Sequence, residues 1–403
     1  MPQPRHGWRH ERGGHVMKQA VFKPEWYVSP EYAEYERVRL FEKLWLAAGF
    51  SSAIRNNGDY FVLMIHGQRV LVHRLGGEIV AYVDACPHRG GVIATAERGN
   101  TRPVCKYHGW AFREGRELTG VPMASQFEHD GALRDRSCGR RLKPLAVHCV
   151  GPLIFVNLAE QPLPFEEQFS AELIAWFERM GQTSAMIQLS FKCDFNWKLN
   201  AENVRDSLHP FFVHADSFSP VLPKATEAFS QDRMVRLRPT EGEDWPRHEM
   251  PIPALRELSY VWTPEFDEGS YWYDGLLRRS LPQDRFVDML LFPNTNLYSV
   301  GGRYYGLQQY LPTSATTFDY RLSIAMPQML RRFDAQPLLT SIARSERHVI
   351  EEDSVILRRV QQNLAAMSQR RFRFTQGDYE TPIMQFMRYM GGVVYQEPQP
   401  GHH

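Results

Sequence analysis

The sequence lacks several features that mark specialised classes of protein. It has no run of about 18 apolar residues, the length that a membrane-spanning helix needs. Lys and Arg together number 47 and Asp and Glu 46, so the overall charge recruits neither nucleic acid nor an acidic membrane surface. No internal repeat or low-complexity tract stands out. These absences favour a globular chain, and its 403 residues are enough for two or three domains.

Cysteine is also scarce, since the chain has five. Cys138, Cys149 and Cys193 are an odd number without disulfide spacing, so we expect them to be buried thiols in a reducing compartment. The first residues are rich in Arg and His and lack the apolar core of a secretory signal. We therefore expect a cytoplasmic enzyme.

The other two cysteines belong to the pattern C-x-H-x16-C-x2-H, which is formed by Cys86, His88, Cys105 and His108. Thiolates and imidazoles bind iron–sulfur clusters or zinc. Zinc sites more often use two like ligands in each half, whereas each half here offers one Cys and one His. That arrangement suits a [2Fe–2S] centre in which two His replace two Cys on one iron. A structural zinc ribbon is the alternative.

Periodicity predicts the elements around this pattern. Apolar positions with helical spacing, after Ser29 as N-cap and Pro30 in the first turn, predict a helix over residues 29–48. From Gly58 the sequence pattern changes to that of short strands separated by turn residues. This predicts a small all-β domain that contains both halves of the Cys/His pattern. Its predicted strands cover residues 60–65, 69–74, 79–84, 145–150 and 153–158.

Two prolines, Pro162 and Pro164, predict a linker that leads into a second region. There the pattern predicts a long β region from about residue 234 to 326 and a final helix near residues 343–367. The remaining predicted elements are a helix over 166–179 and strands over 185–191, 259–262 and 270–273.

A second group of ligand-type residues follows the linker. If residues 203–209 are helical, Asn203, Asp206 and His209 lie on one side of that helix. His214 is five residues beyond His209, and the intervening Pro210 forces a break or a widening that can bring both imidazoles to one metal. Two imidazoles and a carboxylate form the facial triad of non-haem Fe(II) oxygenases. From the residues alone, two packed or exposed histidines are the alternative.

Both groups resemble one known family. Cys86-Pro87-His88-Arg89-Gly90 and Cys105-Lys106-Tyr107-His108-Gly109-Trp110 resemble the cluster-binding box of Rieske proteins, in the oxygenase and ferredoxin version that has no additional cysteine in each loop. Asn196-Trp197-Lys198, Glu202-Asn203-x2-Asp206 and His209-x4-His214 resemble the mononuclear iron motif of Rieske non-haem iron oxygenases. One departure is Leu208, where many members have Tyr.

The resemblance implies ligands and roles. Asp206 would bridge His108 of one subunit and His209 of the next in a head-to-tail trimer, and Asn203 would assist near the iron. The segment 350–361 resembles the family's closing helix and implies Asp353 as the third iron ligand, with Glu352 as the fallback. The implied cluster ligands are Cys86, His88, Cys105 and His108, and the implied iron ligands are His209, His214 and Asp353.

The family also implies an architecture and partners. The fold class is α+β, with an all-β Rieske [2Fe-2S] domain (49–160) inserted in a helix-grip catalytic domain with an antiparallel sheet (161–403), after an N-terminal extension and helix (1–48). The implied cofactors are the [2Fe-2S] cluster and a mononuclear Fe(II), with O2 as co-substrate. The implied partners are an NAD(P)H-dependent reductase, with or without a ferredoxin, and further subunits in a trimer, with or without a beta subunit.

The leading functional expectation is hydroxylation of an aromatic, acidic small molecule. The alternatives are oxidative N- or O-demethylation, oxidation of a quaternary amine bound through cation–π contacts, and electron transfer without oxygenase activity. Arg303 and Arg321 are candidates for pairing a substrate carboxylate. The candidate pocket residues are mainly aromatic: Phe211, Phe212, Phe218, Trp262, Trp272 and Phe292.

Overall fold

The structure is a computed structural model that describes residues 23–115, 117–127, 140–206, 208–214, 217, 252–265, 269–368 and 380–396. Cys138, Phe218 and the start of the predicted β region lie outside the described residues, as does the side chain of Phe211. None of the described helices has both the length and the apolar character required to cross a bilayer.

The first part of the chain forms an antiparallel sheet of seven strands in the order β1-β9-β8-β4-β3-β2-β5. Most residues of β2 and β3 are buried, which indicates that both faces of the sheet are covered along these strands. A short hairpin of β6 and β7 accompanies it. The strands are β1 Leu46–Phe50, β2 Asp59–Ile65, β3 Gln68–Leu75, β4 Glu78–Val83, β5 Arg98–Asn100, β6 Ala111–Arg113, β7 Glu117–Gly120, β8 Pro144–Val150 and β9 Leu153–Asn157.

The second part contains a six-stranded antiparallel sheet in the order β10-β15-β14-β13-β12-β11. The central strands β13 and β14 are buried almost throughout, because both faces of the sheet are covered. The strands are β10 Thr183–Cys193, β11 Tyr260–Trp262, β12 Phe286–Leu291, β13 Thr295–Val300, β14 Tyr305–Pro312 and β15 Phe318–Pro327.

The helices include one long element, α6, which packs on this second sheet with buried residues at Leu339, Ala343, Ile350, Leu357 and Leu364. Their spacings of four or seven residues place them on one face of the helix. The helices are α1 Pro30–Glu36, α2 Phe165–Gln168, α3 Ala171–Arg179, α4 Trp197–Asn203, α5 Pro210–Val213, α6 Gln336–Met367 and α7 Thr381–Tyr389.

The two sheets pack through a continuous core that α2 and α3 complete. The Phe155 ring on β9 lies 5.6 Å from that of Phe177 on α3, and the same apolar cluster includes Met289 of the second sheet. Gly151 at the β8–β9 turn has a φ of +54°, and a Cβ there would lie 1.9 Å from the Phe177 carbonyl oxygen. The close approach therefore requires glycine at this position.

The architecture confirms the predicted α+β class, with a small all-β unit set beside a second unit that combines an antiparallel sheet with helices. Residues that precede the first sheet pack with the end of the chain, since the rings of Trp26 and Tyr395 are 4.9 Å apart. The residues before the small β unit therefore pack with residues from the end of the described chain, and the small β unit lies between them in sequence.

Several predicted elements are wrong. The helix predicted over residues 29–48 ends in a π-helical turn at Arg37–Phe41, and residues 46–50 form β1 because that segment pairs with β9. The predicted helix over 166–179 is two helices, since Ser170 caps the second. Residues 270–273 form a turn stabilised by the Asp274 carboxylate. Cys149 is exposed rather than buried.

Candidate metal centres

The cluster loops are two tight turns that face each other. The first, between β4 and β5, is closed by hydrogen bonds from Cys86 N to Gly91 O and from Gly90 N to Cys86 O, at 2.7 and 2.8 Å. The second, between β5 and β6, is closed in the same way by Cys105 N to Trp110 O and Gly109 N to Cys105 O, at 2.8 and 3.0 Å. A Cβ on Gly91 would lie 2.9 Å from the Cys105 sulfur, so only glycine permits this approach.

The four predicted cluster ligands converge at these turns. The Cys86 and Cys105 thiols are buried, whereas the imidazoles of His88 and His108 are half-buried, with ring centroids 4.6 Å apart. Burial raises the pKa of the Cys86 thiol to about 11, so the metal-free thiol is unreactive at neutral pH. Nδ1 of His88 is buried and has no hydrogen-bond partner among the described residues. Two thiols inside and two imidazoles outside fit a Rieske cluster.

Hydrogen bonds to the Asp84 carboxylate stabilise the first cluster loop. Its buried carboxylate accepts hydrogen bonds from the Ile93 backbone N–H at 2.6 Å and from Arg69 Nε at 3.1 Å. Arg69 also donates to the Ala94 carbonyl oxygen at 3.0 Å. This pair ties the end of β4 to the segment that follows the first cluster loop.

The three predicted iron ligands also converge, and they come from two distant segments. His209 precedes α5, His214 follows it, and Asp353 lies on α6. One ligand atom from each lies within 4.8 Å of the others. Asp353 Oδ1 is 3.1 Å from His214 Nε2 and 3.7 Å from His209 Nε2. This donor set of two imidazoles and one carboxylate fits a mononuclear Fe(II).

Hydrogen bonds on the far side of each ring determine which nitrogen faces the site. Nδ1 of His209 contacts the Asp206 backbone carbonyl oxygen at 3.1 Å. A carbonyl can only accept, so Nδ1 of His209 carries the hydrogen and Nε2 offers its lone pair to the site. Nδ1 of His214 contacts the Glu352 carboxylate at 2.8 Å, which gives that ring the same orientation.

The two imidazoles differ in electrostatics. Burial lowers the pKa of His209 below its ordinary value, although Asp353 offsets part of that effect. Burial also disfavours a charged His214, but its contacts with Asp353 and Glu352 outweigh burial and raise the pKa of that ring. Without a metal the site therefore attracts positive charge to His214, as a cation-binding site should.

The segment between α4 and α5 corrects one expectation. Residues 203–209 are not one helix, because α4 ends at Asn203 and the chain then turns through Arg205. The Asp206 carboxylate accepts from the Leu208 backbone N–H at 2.7 Å, and Pro210 starts α5 as its first residue. The structure thus brings Asp206 next to His209 through its backbone carbonyl and not through its carboxylate.

A buried group of charges lies beneath α4. It was not predicted from the sequence. The Lys198 ammonium is 2.5 Å from the Glu36 carboxylate, and both side chains are almost fully buried. Glu36 also accepts hydrogen bonds from Trp197 Nε1, at 2.7 Å, and from the Tyr395 hydroxyl. The Asn-Trp-Lys motif therefore attaches the segment that leads to the candidate iron ligands to α1 and to Tyr395.

The buried side-chain amide of Gln361 on α6 contacts the residue that precedes α4. Gln361 accepts from the Asn196 backbone N–H at 2.8 Å and donates to the Tyr27 carbonyl oxygen at 3.1 Å. Asn196 in turn caps α4 by accepting from the Lys198 backbone N–H at 2.9 Å. The closing Gln of the α6 motif thus aligns the two segments that provide the iron ligands.

The predicted pocket residues whose side chains the structure describes do not form one group. Phe212 and Trp272 are 77% and 75% exposed, so neither lines an enclosed pocket within the chain. Phe292 is buried against Phe386 and Tyr389, and Trp262 is buried on β11. Phe292 directly follows β12 and belongs to the hydrophobic core.

The two arginines considered for a substrate carboxylate have other partners. The Arg303 guanidinium binds the Asp274 carboxylate, at 2.8 Å from Nε, and the Gly269 carbonyl oxygen. Arg321 donates to the Val62 carbonyl oxygen at 3.0 Å, which links the second sheet to the first. Arg303 could bind a substrate only by giving up these contacts, whereas the bond from Arg321 uses one of the five N–H donors of its guanidinium.

Comparison with known families agrees with this geometry. The model of the ring hydroxylating alpha subunit (catalytic domain) matches residues 175–394, which include the three candidate iron ligands. The chain belongs to the ring-hydroxylating alpha-subunit family. The model of the Rieske [2Fe-2S] domain matches residues 44–142, which include both cluster loops. As a member of this family, the chain combines a Rieske domain with a mononuclear iron catalytic domain.

Curated relatives in this alpha-subunit family act on different substrates. The oxygenase subunit of glycine betaine monooxygenase from Pseudomonas aeruginosa (strain UCBPP-PA14) is 30% identical over 55% of this chain and 52% of its own length. The large subunit of anthranilate 1,2-dioxygenase from Acinetobacter baylyi is also 30% identical, over 48% of this chain and 42% of its own. The chain thus spans about half the length of the curated relatives it matches.

Solved structures extend the likeness over nearly the whole alpha-subunit fold. The crystal structure of a quaternary ammonium Rieske monooxygenase superposes with a TM-score of 0.69 and 16% identity, and it covers 93% of this chain and 95% of that one. At this identity the likeness shows the fold alone.

Proposed function

We propose that the chain is the terminal oxygenase component of a Rieske oxygenase system, which uses O2 and electrons from a reductase to hydroxylate a small organic molecule. The convergence of His209, His214 and Asp353 in a chain that also has a Rieske domain carries this proposal. Each bound group supplies one part of the chemistry: the cluster passes electrons singly, and Fe(II) in a facial triad keeps positions open for O2 and substrate.

Residues of this chain would bind the cluster and orient the iron ligands. Cys86, Cys105, His88 and His108 would hold the cluster, with the imidazoles outermost. The Asp206 carbonyl keeps the hydrogen of His209 on Nδ1, which leaves Nε2 to bind metal. In this proposal Asp206 bridges His108 of one subunit and His209 of the next in a trimer, with its carboxylate accepting from His108 and its backbone carbonyl accepting from Nδ1 of His209, and Asn203 assists near the iron. A cytoplasmic location is part of the same proposal.

An aromatic acid is the first candidate substrate, as for the anthranilate dioxygenase relative. A second candidate is a quaternary amine, which aromatic side chains can bind through cation–π contacts. The glycine betaine monooxygenase relative agrees with this candidate.

An iron count with a substrate panel tests the proposal. We expect about three irons per chain, and O2 uptake that depends on both the reductase and the substrate. The panel should compare benzoate-type acids with trimethylammonium compounds of similar size. About two irons per chain and no O2 uptake with any substrate would instead indicate an electron carrier.

Replacing Asp353 by Ala tests the iron ligands. We expect this variant to lose mononuclear iron and activity while it keeps the visible spectrum of the cluster, because the two sites share no side chain. Glu351→Ala on the exposed face of the same helix is the matched control. Full iron content and activity in the Asp353 variant would refute the assignment.

A further inference from the structure

Two adjacent carboxylates on α6 contact opposite nitrogens of one imidazole. Asp353 Oδ1 lies 3.1 Å from Nε2 of His214, and Glu352 Oε2 lies 2.8 Å from Nδ1. The His214 side chain is only 2% exposed, so these contacts are made inside the protein. Because the two ring nitrogens lie on different sides of the ring, Glu352 cannot bind the ion that Nε2 and Asp353 share.

Further contacts fix the Glu352 carboxylate. The Ser217 hydroxyl donates to the same Oε2 atom at 2.6 Å, and the other oxygen, Oε1, lies 3.5 Å from Nε2 of the exposed His348. The Glu352 side chain is 18% exposed, whereas its neighbour Glu351 is about half exposed and pairs with Arg347 at 2.7 Å. Glu352 therefore turns inward although it belongs to a run of acidic residues.

We propose that Glu352 is a positioning residue for the iron ligand His214, and that Ser217 holds its carboxylate in place. This inference rests on the mononuclear iron site of the proposed function. An acceptor on Nδ1 fixes the tautomer and the plane of the ring, and a negatively charged acceptor makes Nε2 a stronger donor to a metal.

The two histidine ligands are then unequal. Nδ1 of His209 contacts a neutral backbone carbonyl at 3.1 Å, whereas Nδ1 of His214 contacts a carboxylate at 2.8 Å. Removal of the negative charge on Glu352 should weaken only the bond between His214 Nε2 and the metal. Substitution of Glu352 can therefore change the donor strength of His214 while all three candidate iron ligands remain in place.

Metal affinity tests the proposal directly. The purified full-length chain, with its cluster intact and its mononuclear iron removed, is titrated with Fe(II) against a competing chelator. Glu352→Gln keeps the size of the side chain and removes its charge, so we expect about a 10- to 100-fold loss of Fe(II) affinity. Ser217→Ala should give a smaller loss in the same direction.

Controls separate positioning from general damage. Glu351→Gln changes the neighbouring carboxylate on the same helix and should leave the Fe(II) affinity unchanged. The cluster absorption and the far-UV circular dichroism of the metal-free Glu352→Gln protein should match those of the wild type, because general damage to the fold would change both.

The outcomes distinguish this inference from the proposed function. If Asp353→Ala abolishes Fe(II) binding while Glu352→Gln binds as tightly as the wild type, the positioning role is overturned and the proposed iron site stands. An equal loss in Glu351→Gln also overturns it, since the effect would then be one of net charge. A wild-type chain that binds no Fe(II) overturns both.

Discussion

Replacing Lys198 by Met tests whether the buried charges beneath α4 hold the iron-bearing segment in place. The Lys198 and Glu36 side chains are 0% and 1% exposed, and their charged atoms are 2.5 Å apart. Removal of the ammonium leaves a buried carboxylate with only the Trp197 and Tyr395 donors. Breaking one partner of such a pair costs about 3–5 kcal/mol of unfolding free energy.

A double-mutant cycle isolates the pair from other effects. Glu36→Gln keeps an acceptor for Trp197 and removes the charge that faces Lys198. Because the double variant leaves no unpaired buried charge, it should be at least about 1 kcal/mol more stable than the sum of the two single effects predicts. Urea unfolding followed by intrinsic fluorescence measures these values, and the cluster absorption reports separately on the Rieske domain.

The exposed Lys192 provides the control, since Lys192→Met should change the unfolding free energy by less than about 0.5 kcal/mol. We also expect Lys198→Met to lose mononuclear iron before it unfolds, because α4 leads directly to His209. A Lys198→Met protein within about 1 kcal/mol of the wild type would refute the reasoning, as would a double variant with strictly additive losses.

Three further predictions concern other carboxylates. Asp206→Asn should keep both metals and block electron transfer between them, so a normal single-turnover rate would exclude the bridging role. Burial raises the pKa of Glu202 from 4.5 to about 8, so the native state binds more protons than the unfolded state over that range. Its contribution to stability therefore falls as pH rises, and Glu202→Gln should flatten the wild-type decline measured by urea unfolding between about pH 5 and 8; an unchanged slope would contradict this pKa. Asp84→Ala removes the acceptor for Ile93 N–H and should speed bleaching of the visible cluster spectrum; equal bleaching rates would show that the loop holds without it.

The cluster box was predictable because its determinants are local. Cys86 and His88, like Cys105 and His108, are close in sequence, and the glycines beside them mark turns that the structure contains. The final helix was also predictable from its period. Asp353 was reached by resemblance, since periodicity alone does not distinguish it from other acidic residues of α6.

Other features depend on contacts that a local pattern does not contain. Glu36 and Lys198 are 162 residues apart, and each alone looks like an exposed helix charge. Residues 46–48 were predicted as the end of a helix but belong to β1, which pairs with β9, so tertiary pairing overrides the local prediction. The predicted helix through residues 203–209 is interrupted because the Asp206 carboxylate binds the Leu208 N–H, an interaction that competes with helix continuation.

The distance along the chain between the iron ligands has a thermodynamic consequence. His214 and the α6 residue Glu352, which precedes Asp353, are 138 residues apart. A metal ion bound by His214 and Asp353 would close a loop of nearly the same length as a cross-link does, and it would restrict the unfolded chain in the same way as a disulfide. The unfolding temperature of the enzyme should then report its iron content, and partial iron loss during purification would yield two melting populations from a single pure chain.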